Sequence, residues 1–443
     1  MKSSCNLQEL NIFLRDIRKN RKMKFRRKTM KCKCKGAIIM MTAVLLLAIT
    51  VGVVGNVRRH EPGQYSDVFG QANFTEVREP LGVTRNTEHG ELSVRYIEYI
   101  NDNFYNRIPF SYQEMHTAVW LVEELLAMGY TWDEIEVQEF AWEDVNQYFT
   151  GGEVMDILIG TMNFLFRYSH SPFWNLGMRE SRMSQNVVLT VPGESDEMII
   201  VGAHYDTWFA AGASDNASGM ALLLESAQRM LEQDNYYTIV YVFFGAEEAG
   251  VFGAQYFANS LTAVEHHNIK FMVNADILIE GPVLFYSAGY EAGEREQDMF
   301  DRLLAFDANW ELGTNSLVDE FENIARRLNN EFDLELEPWH RGIFYVTSDH
   351  LAFLPWGHTV ITLSGLERLD DWDYEAGINL GARLLEKTRV LHTPRDNFEH
   401  INETWPGKME DNMRGFSIFL EEILLMGSSS RDNDVNGGVN YED

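Results

Sequence analysis

The chain has 443 residues, 45% of them hydrophobic and 12% aromatic, enough to bury the core of one large or two ordinary domains. Its formal net charge of −30 is unevenly spread: residues 1–35 hold 13 Lys/Arg against Glu9 and Asp16, while the remainder holds 24 Lys/Arg against 65 Asp/Glu, near −41. A field of that sign repels phosphate backbones and argues against nucleic acid as a partner. All the cysteines (Cys5, Cys32 and Cys34) lie in the basic head, so the body has no internal disulfide and no thiolate chemistry.

In chain order, the basic head 1–35 is followed by GAIIMMTAVLLLAITVGVVGNV, residues 36–57, which carries no charge. That run is long enough to cross a hydrocarbon core of about 30 Å as a helix. With the basic residues on its N-terminal side, the expectation is a single-pass signal anchor in the cell membrane, N-terminus cytoplasmic and body extracytoplasmic; a cleaved secretory signal is the alternative. A polar linker, 58–90, leads to the body, 91–426. There 91–105 and 111–128 read as helices, the second carrying Val119, Leu121, Val122, Leu125 and Leu126 as a core stripe. Residues 135–140 alternate as a strand, and SQNVVLTVPG gives a strand closed by a Pro192-Gly193 turn.

The stretch from Met198 to Glu248 organises the rest. Two apolar runs, 198–203 and 238–244, flank a Gly/Ala/Ser-rich turn that opens a helix, which is a βαβ unit. A third run, 270–275, stops at Asp276. The span 280–337, with helix-like 298–304 and 316–328, reads as an insertion on one face of the sheet. Residues 359–363 are a further strand, 413–426 an apolar helix, and 427–443 a polar tail expected to be disordered.

In an open α/β sheet, ligands bind beyond the carboxyl ends of the strands. Here those ends carry His204 with Asp206, then Asp215, then Glu247 with Glu248, then Asp276, and His392 follows far downstream in LHTPRDN. Imidazole nitrogen and carboxylate oxygen are zinc ligands. One histidine and one carboxylate per metal, with one shared carboxylate, hold two ions about 3.5 to 4 Å apart. The expected set is His204 and Asp276 on one zinc, Glu248 and His392 on the other, and Asp215 as bridge. Asp206, two residues after His204, is placed to accept the other imidazole N–H. Glu247 is left over as the general base that takes a proton from the activated water and returns it to the leaving amine. Gly212 and Gly219 suit a loop whose backbone must come close to the site.

Each residue also has a plainer explanation. Glu247-Glu248 is the kind of pair that at Glu421-Glu422 marks a wet helix face, and GASDNASG is also a helix-capping turn with Asp215 or Ser218 near the N-cap. The succession of ligand types at consecutive strand ends is what favours a metal site. His266 and His267 read as surface residues, and His350 as architectural.

The segments SQNVVLTVPG, IIVGAHYDT, GASDNASG, VFFGAEEAGVFGAQYFA, NADI, SDHLAF and HTPRDN resemble the successive signatures of the zinc-dependent exopeptidases of metallopeptidase family twenty-eight, which include bacterial leucyl aminopeptidases and aminopeptidase Y. The resemblance implies one α/β domain with a mixed central β-sheet flanked by helices, two zinc ions per chain and removal of N-terminal residues from peptide substrates. It assigns His204, Asp215, Glu248, Asp276 and His392 as ligands and Glu247 as base. Many members carry Tyr before the final histidine, where this chain has Leu391. Two other readings share the fold: a glutaminyl-cyclase-like acyltransferase, similar at SDHLAF but with one zinc, and a receptor-type ectodomain without metal chemistry.

Overall fold

The computed structural model describes residues 79–81, 87–141, 144–145, 183–208, 210–231, 233–280, 284–288, 315–338, 348–365 and 390–428. All of them belong to the unit formed by His60–Trp372 and Ala382–Asp443. The basic head, the anchor expected at 36–57, the helix expected at 298–304 and the tail from 429 lie outside the described residues. Among the described residues no helix is long and apolar enough to cross a membrane.

Helices α1 (Glu91–Asn103) and α2 (Tyr112–Met128) lead into β1 (Ile135–Ala141), β2 (Met183–Val191) and β3 (Ser195–His204). Helix α2 starts where the Ser111 side chain accepts the backbone N–H of Glu114 and stops at Gly129 with φ 113, a left-handed cap. The order continues α3 (Ser218–Met230), β4 (Tyr237–Phe244), α4 (Phe252–Ser260), α5 (Ala263–Asn268) and β5 (Ile269–Ala275). It closes with β6 (Leu284–Ala288), α6 (Asn315–Phe332), β7 (Leu336–Pro338), β8 (Val360–Ser364), α7 (Phe398–Thr404) and α8 (Lys408–Leu424).

The eight strands form one sheet in the order β1-β2-β4-β3-β5-β8-β6-β7. Strands β4, β3, β5 and β8 are parallel, while β2 pairs antiparallel with β4 and β6 with β8, so the sheet is mixed. The period-two alternation of a strand sends neighbouring side chains to opposite faces. Ile199, Val201 and Ala203 join Ile239, Tyr241, Phe243, Phe271 and Val273 in a core shared with residues of α1, α2, α3 and α8. Ile200, Val240, Val242, Phe244 and Met272 point the other way, onto Ala254, Phe257 and Ala258 of α4 and onto Phe353 and Leu354. Helices therefore cover both faces, which is why the strands read as unbroken apolar runs.

The span 280–337 departs from the insertion expected on one face. Its described parts include β6 and β7, which extend the sheet beyond β8, and α6, whose Phe321, Ala325 and Leu328 enter the main core. The short strands carried too little periodicity to be recognised. The final helix also starts earlier than 413–426, at Lys408, because Gly407, with φ 80, sets its N-cap ahead of the apolar run.

Ile199 lies at the centre of the parallel block and is fully buried. Its truncation to Ala is expected to cost about 2 to 5 kcal/mol in urea-denaturation free energy; a loss below about 1 kcal/mol would contradict this placement of β3.

Candidate metal centre

Strand β3 lies between β4 and β5, so the chain crosses from one side of β3 to the other after β4. That reversal opens a crevice at the carboxyl ends of the three strands. His204 is the last residue of β3, Glu247 and Glu248 follow the end of β4, and Asp276 follows the end of β5. Asp215 sits in the turn between β3 and α3, where its peptide bond to Asn216 is cis. His392 comes from the loop ahead of α7.

The five residues expected as ligands converge. Asp215 Oδ1 is 3.1 Å from His204 Nε2, and Asp215 Oδ2 is 3.1 Å from His392 Nε2. His204 Nε2 also lies 3.3 Å from Asp276 Oδ1, and His392 Nε2 lies 3.2 Å from Glu248 Oε2. Two triads result, His204 with Asp215 and Asp276, and Asp215 with Glu248 and His392, each with donor atoms within 4.8 Å of one another. They share Asp215. The first is buried, while His392 is 49% exposed and opens the second towards solvent.

The donor set fits a pair of divalent cations better than it fits protons. Each histidine Nε2 faces two carboxylate oxygens, and a single N–H cannot satisfy both. Glu248 Oε1 is buried without a hydrogen-bond partner. Asp349, fully buried in the turn Asp349–Ala352, has neither carboxylate oxygen bonded. Such an accumulation of buried acid is costly unless cations neutralise it.

The supporting bonds differ in part from expectation. His204 Nδ1 lies 3.2 Å from the backbone carbonyl of Asp206 and 3.6 Å from that residue's Oδ1, so the nearer acceptor is the main chain. The Asp206 carboxylate accepts the backbone N–H groups of Glu247 and Glu248, both at 3.0 Å. Asp206 therefore joins the first ligand strand to the second. In the DNASG turn, Asn216 Oδ1 takes the N–H of Gly219 at 2.9 Å and Asn216 Nδ2 donates to Ala275 O at 2.9 Å, which leaves the Asp215 carboxylate free of capping duty. Gly219 is needed there, since a Cβ would stand 2.5 Å from Asn216 Oδ1. Gly212, with φ 64, holds the same turn on its other side.

Several residues at the centre were not singled out by the sequence. Asp396, inside HTPRDN, accepts the N–H groups of Ser214 at 2.6 Å and Asp215 at 3.0 Å. Arg107, between α1 and α2, reaches the loop after β3, and Glu114, in the first turn of α2, reaches the turn after β4. His350 is buried in its turn, in keeping with an architectural role, and His267 is exposed. His266 differs from the surface residue expected: its ring stacks on Trp356 at 4.0 Å, and its Nδ1 lies 2.8 Å from His358 Nε2.

The profile of Peptidase family M28 matches residues 186–417, just over half of the chain. The chain belongs to Peptidase family M28. Among curated relatives, the alkaline phosphatase isozyme conversion protein of Escherichia coli (strain K12) is 27% identical over 158 residues, 32% of this chain and 46% of that protein. Leucine aminopeptidase 1 of Trichophyton equinum is 32% identical over 117 residues, 23% of this chain and 31% of that protein. The chain thus spans under half the length of these curated relatives. Among solved structures, the zinc aminopeptidase BSAP from Bacillus subtilis shares the fold with a TM-score of 0.51 at 14% identity, covering 78% of this chain and 98% of that one.

With protons as the only partners of these acids, burial pushes Glu247 well above the ordinary carboxyl range, opposed by His204 and reinforced by Asp349, Glu248 and Asp276. Burial likewise lifts Glu248 from 4.5 to about 6 against the pull of His392. For His204, burial works downward, but Asp276 and its other carboxylate neighbours prevail and hold it well above its usual value. Burial raises Asp215, yet both histidines overcome it and hold it below the ordinary range. Groups whose pKa rises on folding stabilise the fold at low pH and lose that contribution as pH rises, for Glu248 between 4.5 and about 6. Asp215 has the opposite sign but acts only below its usual 3.8, outside that window. A metal competes with these protons. The increase in Tm that saturating zinc gives over the chelator-treated chain is therefore expected to grow between about pH 5 and pH 8 in scanning calorimetry; an increment independent of pH would contradict it.

Proposed function

We propose that the chain is a membrane-anchored, extracytoplasmic zinc aminopeptidase that removes N-terminal residues from peptides with two zinc ions and Glu247 as general base. The observation that carries this reading is the bridging position of Asp215, whose two oxygens each face a different histidine at 3.1 Å. His204 and Asp276 would hold one zinc and Glu248 and His392 the other, with Asp215 common to both. Membership of family M28 and the aminopeptidase names of several relatives support the reaction class.

When bound, zinc supplies Lewis-acid polarisation of a carbonyl and lowers the pKa of water. The protein supplies the proton transfer. Glu247 stands among His204, Asp349, Glu248 and Asp276, where burial raises its pKa, the direction that suits a carboxylate that takes a proton and gives it back. It receives the proton that water loses on attack at the peptide carbonyl and delivers it to the leaving amine nitrogen. Asp206 fixes the backbone of Glu247 and Glu248, so base and ligand keep distinct directions although adjacent in sequence. The anchor rests on the uncharged run 36–57 and the basic residues before it, and the exclusion of nucleic acid rests on the acidity of the body.

Amino-acid p-nitroanilides and dipeptides are the direct substrates to test. Glu247→Gln is expected to bind two zinc ions per chain while losing about 100-fold or more in kcat. Turnover equal to that of the unaltered chain would remove Glu247 from its role. Cyclisation of N-terminal Gln peptides without amine release would move the protein to the acyltransferase reading, and fewer than one zinc per chain to the receptor reading.

A further inference from the structure

The stretch from Arg107 into the first turn of α2 lies well ahead of the residues matched to the family, 186–417, yet two of its side chains, those of Arg107 and Glu114, end beside the candidate metal centre. Arg107 is fully buried. Its Nε donates to Tyr205 O at 2.6 Å, Nη1 to Phe104 O at 2.9 Å and Ala211 O at 2.6 Å, and Nη2 to Gly212 O at 3.2 Å. The backbone adds Thr207 N–H to Arg107 O and Asn106 N–H to Ala210 O, both at 3.0 Å. One guanidinium thus ties the strand end that carries His204 and Asp206 to the loop that enters Asp215. It is also the cation that faces Asp396, Asp206, Asp215 and Glu248.

Glu114, also fully buried, acts on the other strand. Its Oε1 accepts the N–H of Ala246 at 2.9 Å and the hydroxyl of Ser184 at 2.7 Å, and its Oε2 accepts the N–H of Phe110 at 2.6 Å. With Asp206 on the next two amides, three consecutive backbone N–H groups, Ala246 to Glu248, are held by two carboxylates. Ala246 has φ 55, a left-handed conformation that a non-glycine residue keeps only when its surroundings impose it.

We propose that the Arg107–Glu114 segment is a positioning clamp for the metal centre, Arg107 fixing His204 relative to Asp215 and Glu114 fixing the turn that presents Glu247 and Glu248. The proposal rests on the two-metal reading above. An arginine and a glutamate that merely filled buried space would need only enough partners to be satisfied. Arg107 instead donates to Tyr205 O, Ala211 O and Gly212 O, and Glu114 accepts from Ala246 N–H, all of them backbone groups beside candidate ligands on different strands, where a small displacement changes the separation of the donors. Residues that orient metal ligands in this way typically govern affinity and turnover by about 10- to 100-fold.

The test uses the full chain, stripped with chelator and titrated with zinc in a calorimeter, beside steady-state kinetics. Arg107→Lys keeps the charge but cannot reach four carbonyls, and Glu114→Gln keeps the shape but sets an amide N–H against a donor. Each is expected to weaken binding of zinc by about 10- to 100-fold and to lower kcat with KM unchanged. A role confined to stability would lower Tm and leave the zinc affinity of the folded chain intact, and that result overturns the clamp. Should either variant fail to fold by circular dichroism, Ser184→Ala removes a single bond to Glu114 Oε1 and is expected to weaken zinc binding and lower kcat in the same direction; unchanged affinity there overturns the proposal equally. Binding of fewer than two zinc ions by the unaltered chain would count against the two-metal reading itself, whereas two ions with unaffected variants would count against the clamp alone.

Discussion

A single carboxylate shared between two imidazoles is the constraint on which the rest of the structure depends. For the oxygens of Asp215 to stand 3.1 Å from His204 Nε2 and from His392 Nε2, residues nearly two hundred positions apart must meet at the rim of one sheet. The parallel block β4-β3-β5 provides that rim, because β3 has neighbours reached by crossovers to opposite sides. The apolar runs that build the block are thus also what aims the ligands: burial of Ile199, Val240 and Phe271 on the two faces fixes the register, and the register fixes where each strand ends.

Beyond the strand ends the backbone is forced. Ala246 just before Glu247, Ile277 just after Asp276, and His392 itself all have positive φ, at 55, 54 and 53. These conformations cost free energy for residues with a Cβ, most of all for a β-branched one, and they gather where ligands leave regular structure. Buried carboxyls hold two of the turns that carry the candidate ligands: Asp206 and Glu114 the turn after β4, with Ala246 in it, and Asp396 the Asp215 turn. The centre is therefore built of acids in two roles, some placed to offer oxygen to a metal and some binding backbone amides, with the buried Arg107 among them. Cations bound there would relieve the repulsion that this density of carboxyls creates.

Much of this was legible before the structure. The strand ends could be read because β3, β4 and β5 are buried on both faces and appear as plain apolar runs stopping at polar residues. The ligands could be read because histidine and acid recur at those stops. What stayed hidden depends on contacts that no local pattern records. Arg107 and Glu114 sit at the junction of two amphipathic helices and look like ordinary surface charge until the fold buries them. Asp206 looks like a partner for the neighbouring imidazole, since two residues along an extended chain is the right spacing, yet its carboxylate turns to the amides after β4. Strands β6 and β7 are too short to show a period, and they join the sheet only because β8 offers an edge.

The claim at the centre of this account is that two metal ions share Asp215. Diffraction data collected on either side of the zinc absorption edge from crystals of the zinc-loaded chain test it most directly. The account predicts two anomalous peaks about 3.5 to 4 Å apart, one beside His204 and Asp276 and one beside His392 and Glu248, with a carboxylate oxygen of Asp215 on each. A single peak, or two peaks without Asp215 between them, would contradict it.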